Sequence, residues 1–197
     1  MMHISIEGFD GVGKTTASRL LAEKLGFELV EKPLKYLFDT DGTDTNYIRI
    51  RDYINEVSPH NRPFSACFYG LGNLFLYERY KGKNIITDRH LLSNYAWSGS
   101  VESEPIFDAV YGAIGAPAFT FIIYGNSETI CKRLMTRDTQ DSDLKKIART
   151  EEIYNKMKHF AESRKMPHLV IDTQNLTPEE VVEVMLAELR KRGLIHG

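Results

Sequence analysis

The stretch Gly8-Phe9-Asp10-Gly11-Val12-Gly13-Lys14-Thr15, followed by Thr16, fits the spacing G-x-x-x-x-G-K-[ST] in full. These residue types at this spacing suit one task, the cradling of a phosphate chain. Glycines let the backbone curl until successive N–H groups, Val12 included, point inward at phosphate oxygens. A helix that opens at the loop adds the positive end of its dipole. Lys14 is a point charge long enough to reach the outer phosphates, and Thr15 offers a hydroxyl to Mg²⁺. Thr16 completes the run. ATP and Mg²⁺ are therefore the expected cofactors. The competing explanation is a Gly-rich turn with a solvated Lys14.

A second signal lies downstream. Asn84-Ile85-Ile86-Thr87 leads into Asp88-Arg89-His90. A carboxylate at the end of a buried strand beside a phosphate loop suits Mg²⁺. Arg89 suits a bidentate clamp on an acceptor phosphate. Alone, such a pair is as readily a surface ion pair; the phosphate loop gives it a functional reading. His90 reads as a packing or capping residue.

These groups need elements to position them. Strands are expected at His3–Glu7, Phe27–Glu31, Asn84–Thr87, Phe119–Tyr124 and His168–Ile171. Helices are expected at Gly13–Leu25, Tyr47–Val57, Pro63–Tyr80, Ser127–Thr136 and Asp143–Arg164. A last helix should start after Thr177-Pro178-Glu179-Glu180, a cap followed by Pro and acidic residues. Such alternation requires crossovers, hence an α/β fold with a parallel sheet covered on both faces. Ligands then bind at the carboxyl ends of the strands.

The bulk composition restricts the choice. A chain of 197 residues without repeats or long linkers suits one domain. Its 42% apolar and 26% charged residues are those of a soluble globular protein. A net charge of -2 argues against a nucleic-acid polymer as partner. No apolar run is long enough for a membrane span, and no signal peptide is expected. Cys67 and Cys131 suggest no disulfide framework; both read as buried small hydrophobes in a reduced, cytoplasmic setting.

Together the two motifs resemble those of the thymidylate kinase family. Glu7-Gly8-Phe9-Asp10-Gly11-Val12-Gly13-Lys14-Thr15-Thr16 is similar to its E-G-x-D-G-x-G-K-T-T loop, and Asp88-Arg89-His90-Leu91-Leu92-Ser93 to its D-R-[YH]-x-x-S segment. The resemblance implies a three-layer P-loop kinase fold: a five-stranded parallel sheet, helices on both faces and a small helical lid at about 133–149. It implies transfer of the γ-phosphoryl group of ATP, with Mg²⁺, to a nucleoside monophosphate, dTMP giving dTDP. Asp10 would touch the acceptor sugar, Arg51 the acceptor phosphate with Arg49 competing, and Phe68 or Phe64 would stack on the base. The family places a phosphate-neutralising cation either in the phosphate loop or in the lid; because Val12 occupies that loop position, the lid would supply it, from Arg133 or Arg137 ahead of Arg149. Glu31-Lys32-Pro33 stands where the family has R-E-P. The polar turn after Ile171 stands where the adenine-contacting loop lies. The family's dimers imply a homodimer, with Phe64 to Tyr80 as one candidate surface and core packing as its alternative.

The resemblance departs where the base is read. The family has an Arg about one helical turn after the stacking aromatic, whereas here Gly72 and Asn73 stand there. Asn73 offers an amide pair to a base edge instead. Two other functions compete. A deoxynucleoside kinase would need a carboxylate base near the end of the second strand, where Glu31 lies. A non-catalytic nucleotide-binding module would keep the loop without turnover.

Overall fold

The run His3–Gly8 is buried at every position, so both of its faces must be covered and it belongs at the centre of a sheet. The computed structural model describes residues 1–39 and 41–196. Its strands are β1 (His3–Gly8), β2 (Glu28–Glu31), β3 (Ile85–Asp88), β4 (Phe119–Tyr124) and β5 (His168–Asp172). They form one parallel sheet in the order β2-β3-β1-β4-β5. Ile4, Ile6, Ile86, Phe119 and Phe121 are fully buried in it, each worth about 1.5–3 kcal/mol of burial.

The helices are α1 (Lys14–Leu25), α2 (Lys35–Phe38), α3 (Thr45–Val57), α4 (Arg62–Arg79), α5 (Leu91–Ser98), α6 (Glu104–Ile114), α7 (Ser127–Arg137), α8 (Thr150–Ser163) and α9 (Pro178–Lys191). Two 3₁₀ segments, Val101–Ser103 and Ser142–Arg149, lie between them. From β1 to β2 the chain crosses the sheet one way; every later crossing runs the other way. Right-handed crossovers therefore put α1 on one face and the helices of the later crossings on the other. The packing agrees: α1 lies on α9, while α4 packs on α5 and α6, and α5 on α8. The loops after β1 and β3, neighbours in the sheet, thus diverge to opposite faces and open a crevice between them.

Three local expectations are corrected. The helix foreseen over Asp143–Arg164 is two elements, the 3₁₀ segment Ser142–Arg149 and then α8. Leu144 and Ile147 both pack on the core, and three residues per turn sets them in line on one face. Helices α5 and α6 were not foreseen. The start of α5 is fixed by a tertiary contact, described below. Cys67 is exposed on α4 rather than buried, and Cys131 is half-buried. Among the described residues no helix is long and apolar enough to cross a membrane.

Candidate active site

At the end of β1 the backbone must turn without side chains in the way. Gly8 has φ 147°, and a Cβ there would lie 2.4 Å from the Ile123 carbonyl oxygen. A Cβ on Gly11 would lie 2.7 Å from Leu134. Gly13 precedes α1 in the left-handed region, and no side chain caps the helix, which leaves its first-turn amides to an anion. Tyr154 braces the loop: its hydroxyl accepts from Phe9 N at 3.4 Å and donates to the Ile123 carbonyl at 2.7 Å. Lys14 is buried, and its Nζ donates to the Phe9 carbonyl at 2.6 Å. Burial, reinforced by the Arg89 charge, lowers its pKa to about 8 against the pull of Asp10, Asp88 and Glu7.

The Thr15 hydroxyl donates to Asp88 Oδ2 at 2.5 Å. Asp88 Oδ1 is buried and has no partner within the protein. A hydroxyl beside a carboxylate with one unengaged oxygen is a hard-oxygen set that fits Mg²⁺, which takes one or two protein oxygens and completes its shell from phosphates and water. No cluster of three His, Cys, Asp or Glu suited to a metal occurs among the described residues.

Arg89 follows β3 in the left-handed region (φ 77°), a strained conformation of the kind found at ligand sites. Its guanidinium pairs with Asp10 and donates to the Gly8 carbonyl at 3.2 Å and to Ser93 Oγ at 3.3 Å. Burial works to raise the Asp10 pKa, but Arg89, then Lys14 and Lys146, outweigh it and hold the carboxyl below its ordinary value. The segment is fixed by Glu7. Its buried carboxylate accepts from Leu92 N, Ser93 N and Ser93 Oγ at 3.2, 3.1 and 2.5 Å, and from Ser5 Oγ at 3.1 Å. A carboxylate there satisfies the opening amides of α5 and so sets where Arg89 stands. Burial raises its pKa in spite of the Ser93 hydrogen bond.

Beside the loop lies a cavity of about 690 Å³ lined by Asp10, Asp88 and Arg89. Arg51 lines it too, held by Asp52 at 2.6 Å, whereas its competitor Arg49 is exposed elsewhere on α3. Asn73 lines it as well. Phe68 does not: it stacks on Phe38 and belongs to a small core with Leu34, Tyr47 and Ile54. Phe64 is 45% exposed, away from the cavity. The aromatic of α4 that reaches the cavity is Tyr69, which shares a helix face with Asn73 four residues on, while Phe68 is rotated about 100° away.

The cations expected of a lid at 133–149 also fall differently. Arg133 donates to the Val12 carbonyl at 3.1 Å and to Thr173 Oγ1 and O at 3.0 and 2.7 Å. It ties the phosphate loop to the turn after β5 and does not line the cavity. Arg137 is 58% exposed and paired with Asp141. The lid cations that line the cavity are Lys146 and Arg149, both over the Trp97 ring at 5.5 and 5.4 Å. Trp97 was not singled out from the sequence. No local pattern marks Trp97; only the packing of α5 under the lid does.

Comparison with known proteins places this geometry. The model of the thymidylate kinase family matches residues 6–184. A Thermococcus kodakarensis protein that carries an adenylate kinase name is 27% identical over 192 residues, 96% of this chain and 86% of the relative. A Methanocaldococcus jannaschii protein that carries a thymidylate kinase name is 25% identical over 196 residues, 96% of each. Among solved structures, thymidylate kinase from Candida albicans superposes with a TM-score of 0.67 at 16% identity, covering 98% of this chain and 92% of that one. Deoxyadenosine kinase from M. mycoides gives 0.63 at 17% identity, covering 96% and 100%. At such identities the structures speak for the fold, a parallel sheet wrapped by helices around a phosphate loop. With the family match spanning most of its length, the chain belongs to the thymidylate kinase family of nucleotide kinases.

Proposed function

We propose that this protein transfers the γ-phosphoryl group of ATP, with Mg²⁺, to a nucleoside monophosphate, with dTMP the acceptor that the family points to. The observation that carries the reading is the charge of the cavity beside the loop. Its lining holds six cations, Lys32, Arg51, Arg62, Arg89, Lys146 and Arg149, against four carboxylates, Asp10, Asp52, Asp88 and Asp143. Such a lining suits an acceptor that brings its own negative charge. Glu31, the base a nucleoside acceptor would need, is outside that lining.

Each residue then has a task. Lys14 and the loop amides from Gly8 to Thr16 hold the triphosphate. Thr15 and Asp88 would hold Mg²⁺, which when bound neutralises charge on the outer phosphates. Arg89 and Arg51 orient the acceptor phosphate, and Asp10, fixed by Arg89, meets the acceptor sugar. Lys146 and Arg149 cancel the charge that spreads over the transferring oxygens. Arg133 braces the loop, and Arg137 stabilises the lid through Asp141. An anionic acceptor needs no strong base, so positioning and charge cancellation are the main work.

ADP release measured with every nucleoside and every monophosphate tests this. Turnover is expected with monophosphates and not with nucleosides. The reverse pattern makes the protein a deoxynucleoside kinase. Tight nucleotide binding without turnover of any acceptor makes it a binding module.

A further inference from the structure

The 3₁₀ segment Ser142–Arg149 sorts its residues by threes. Lys145 and Ala148 are exposed. Leu144 and Ile147 pack on the core. Asp143, Lys146 and Arg149 line the cavity. Three residues per turn gives each set its own face. A run of eight residues is long for a helix of this kind, whose hydrogen bonds are poorer than those of an α-helix, so contacts on its faces must hold it. The core face is held by Leu144 and Ile147. The cavity face meets the ring of Trp97 on α5, with Lys146 at 5.5 Å and Arg149 at 5.4 Å from its centroid. Both lie within reach of a cation–π attraction, which is strongest for Trp.

The ion pairs of the two cations do not tie them to α5. Lys146 pairs with Asp143 at 2.6 Å and Arg149 with Glu152 at 2.9 Å. Each pair spans three residues of the lid or its flanking helix, and partly exposed pairs of this kind are weak. The ring, in contrast, is anchored to the rest of the site. The Trp97 carbonyl accepts from Arg62 of α4. The ring lies against Phe9 of the phosphate loop, with centroids 5.8 Å apart, and Phe9 is fully buried. Loop, ring and lid cations therefore form one chain of contacts.

Resting on the reading that Lys146 and Arg149 cancel charge on the transferring oxygens, we propose that Trp97 is a positioning residue for the reaction, whose ring registers both lid cations against the phosphate loop. Charges fixed in advance cost no reorganisation when the transition state forms. The ring acts through the cations, so its loss is felt in kcat and not in acceptor binding.

The test is a mutant cycle read in kcat, KM and fluorescence. Trp97→Leu should lower kcat about tenfold and leave KM for the monophosphate within about threefold. Trp97→Phe, which keeps a ring, should recover most of the loss. In a protein that already carries Lys146→Ala and Arg149→Ala, Trp97→Leu should cost less than about twofold, because the groups it acts through are gone. A full tenfold loss in that background overturns the proposal, as does a loss carried by KM. Trp97 is the single tryptophan of the chain, so its emission reports the contact without turnover and without a change to the ring itself. Lys146→Ala and Arg149→Ala should each alter that emission, whether or not Trp97→Leu folds. Emission unchanged in both overturns the proposal even where no acceptor is turned over. Full kcat in the Lys146→Ala, Arg149→Ala protein is a different result, which removes the charge-cancelling reading and the role of Trp97 with it, even where emission shows the contact.

Discussion

The phosphate loop and the acceptor cavity meet at Asp10 and Arg89, yet they are built differently. The loop is a short consecutive run whose shape is imposed by close backbone packing: Gly8 against the Ile123 carbonyl, Gly11 against Leu134, Lys14 tied to the Phe9 carbonyl. Its polar groups are paired or turned to one purpose. The cavity gathers side chains from distant segments, Arg51 from α3, Asn73 from α4, Trp97 from α5 and Arg149 from the lid. Several of its polar atoms have no partner. In the proposed function one region holds a constant triphosphate through backbone, which the chain can encode locally. The other must recognise a variable molecule through side chains that only the fold brings together.

This contrast can be broken or sharpened by experiment. The largest effect should come from the loop. Lys14→Ala is expected to lower turnover about 10²–10³-fold whatever the acceptor, as read by steady-state kinetics on several monophosphates. A loss confined to one acceptor would erase the distinction between the two regions. A smaller effect separates the lid cations. Arg149→Ala should cost about tenfold in kcat. Arg137→Ala, the loss of an exposed pair with Asp141, should stay within about twofold. Equal losses would return Arg137 to the site.

A further effect is in pH. Lys14 titrates near 8 instead of 10.5, so its charge in the free protein is lost as pH rises through about 8. The value of kcat/KM for ATP should fall above that pH, approaching about tenfold per unit, while kcat moves less because bound phosphates restore the charged form. Stability runs the other way for this group. Between 8 and 10.5 the unfolded chain binds more protons than the folded one, so the Lys14 contribution to stability rises with pH. A flat kcat/KM profile from pH 7 to 9.5 would contradict the account of Lys14.

What could be read from the chain follows the same division. The strand pattern, the loop and the Asp88-Arg89 pair are legible because each depends on neighbours in sequence: buried runs, glycines at fixed intervals, a carboxylate at a strand end. Phe68 packs in a small core while Tyr69, the next residue, lines the cavity, since a hydrophobic helix with aromatics on several sides does not announce which one faces a cleft. Nothing in the sequence shows which cations of 133–149 reach the cavity; the 3₁₀ segment Ser142–Arg149 brings Lys146 and Arg149 to it, whereas Arg133 braces the loop and Arg137 pairs with Asp141. Glu7 belongs to the loop motif by sequence, but its grip on the start of α5 is visible only once β1 and α5 are packed together.

The claim on which all of this depends is that a triphosphate at residues 8–16 and an acceptor phosphate at Arg89 are held end to end. Titration calorimetry with one molecule that joins adenosine and thymidine through five phosphates tests it directly. The account predicts binding at least about a hundredfold tighter than ATP or dTMP alone, with the gain lost in both Lys14→Ala and Arg89→Ala. A joined molecule that binds no tighter than ATP would show that the two sites do not face each other, and the account would be contradicted.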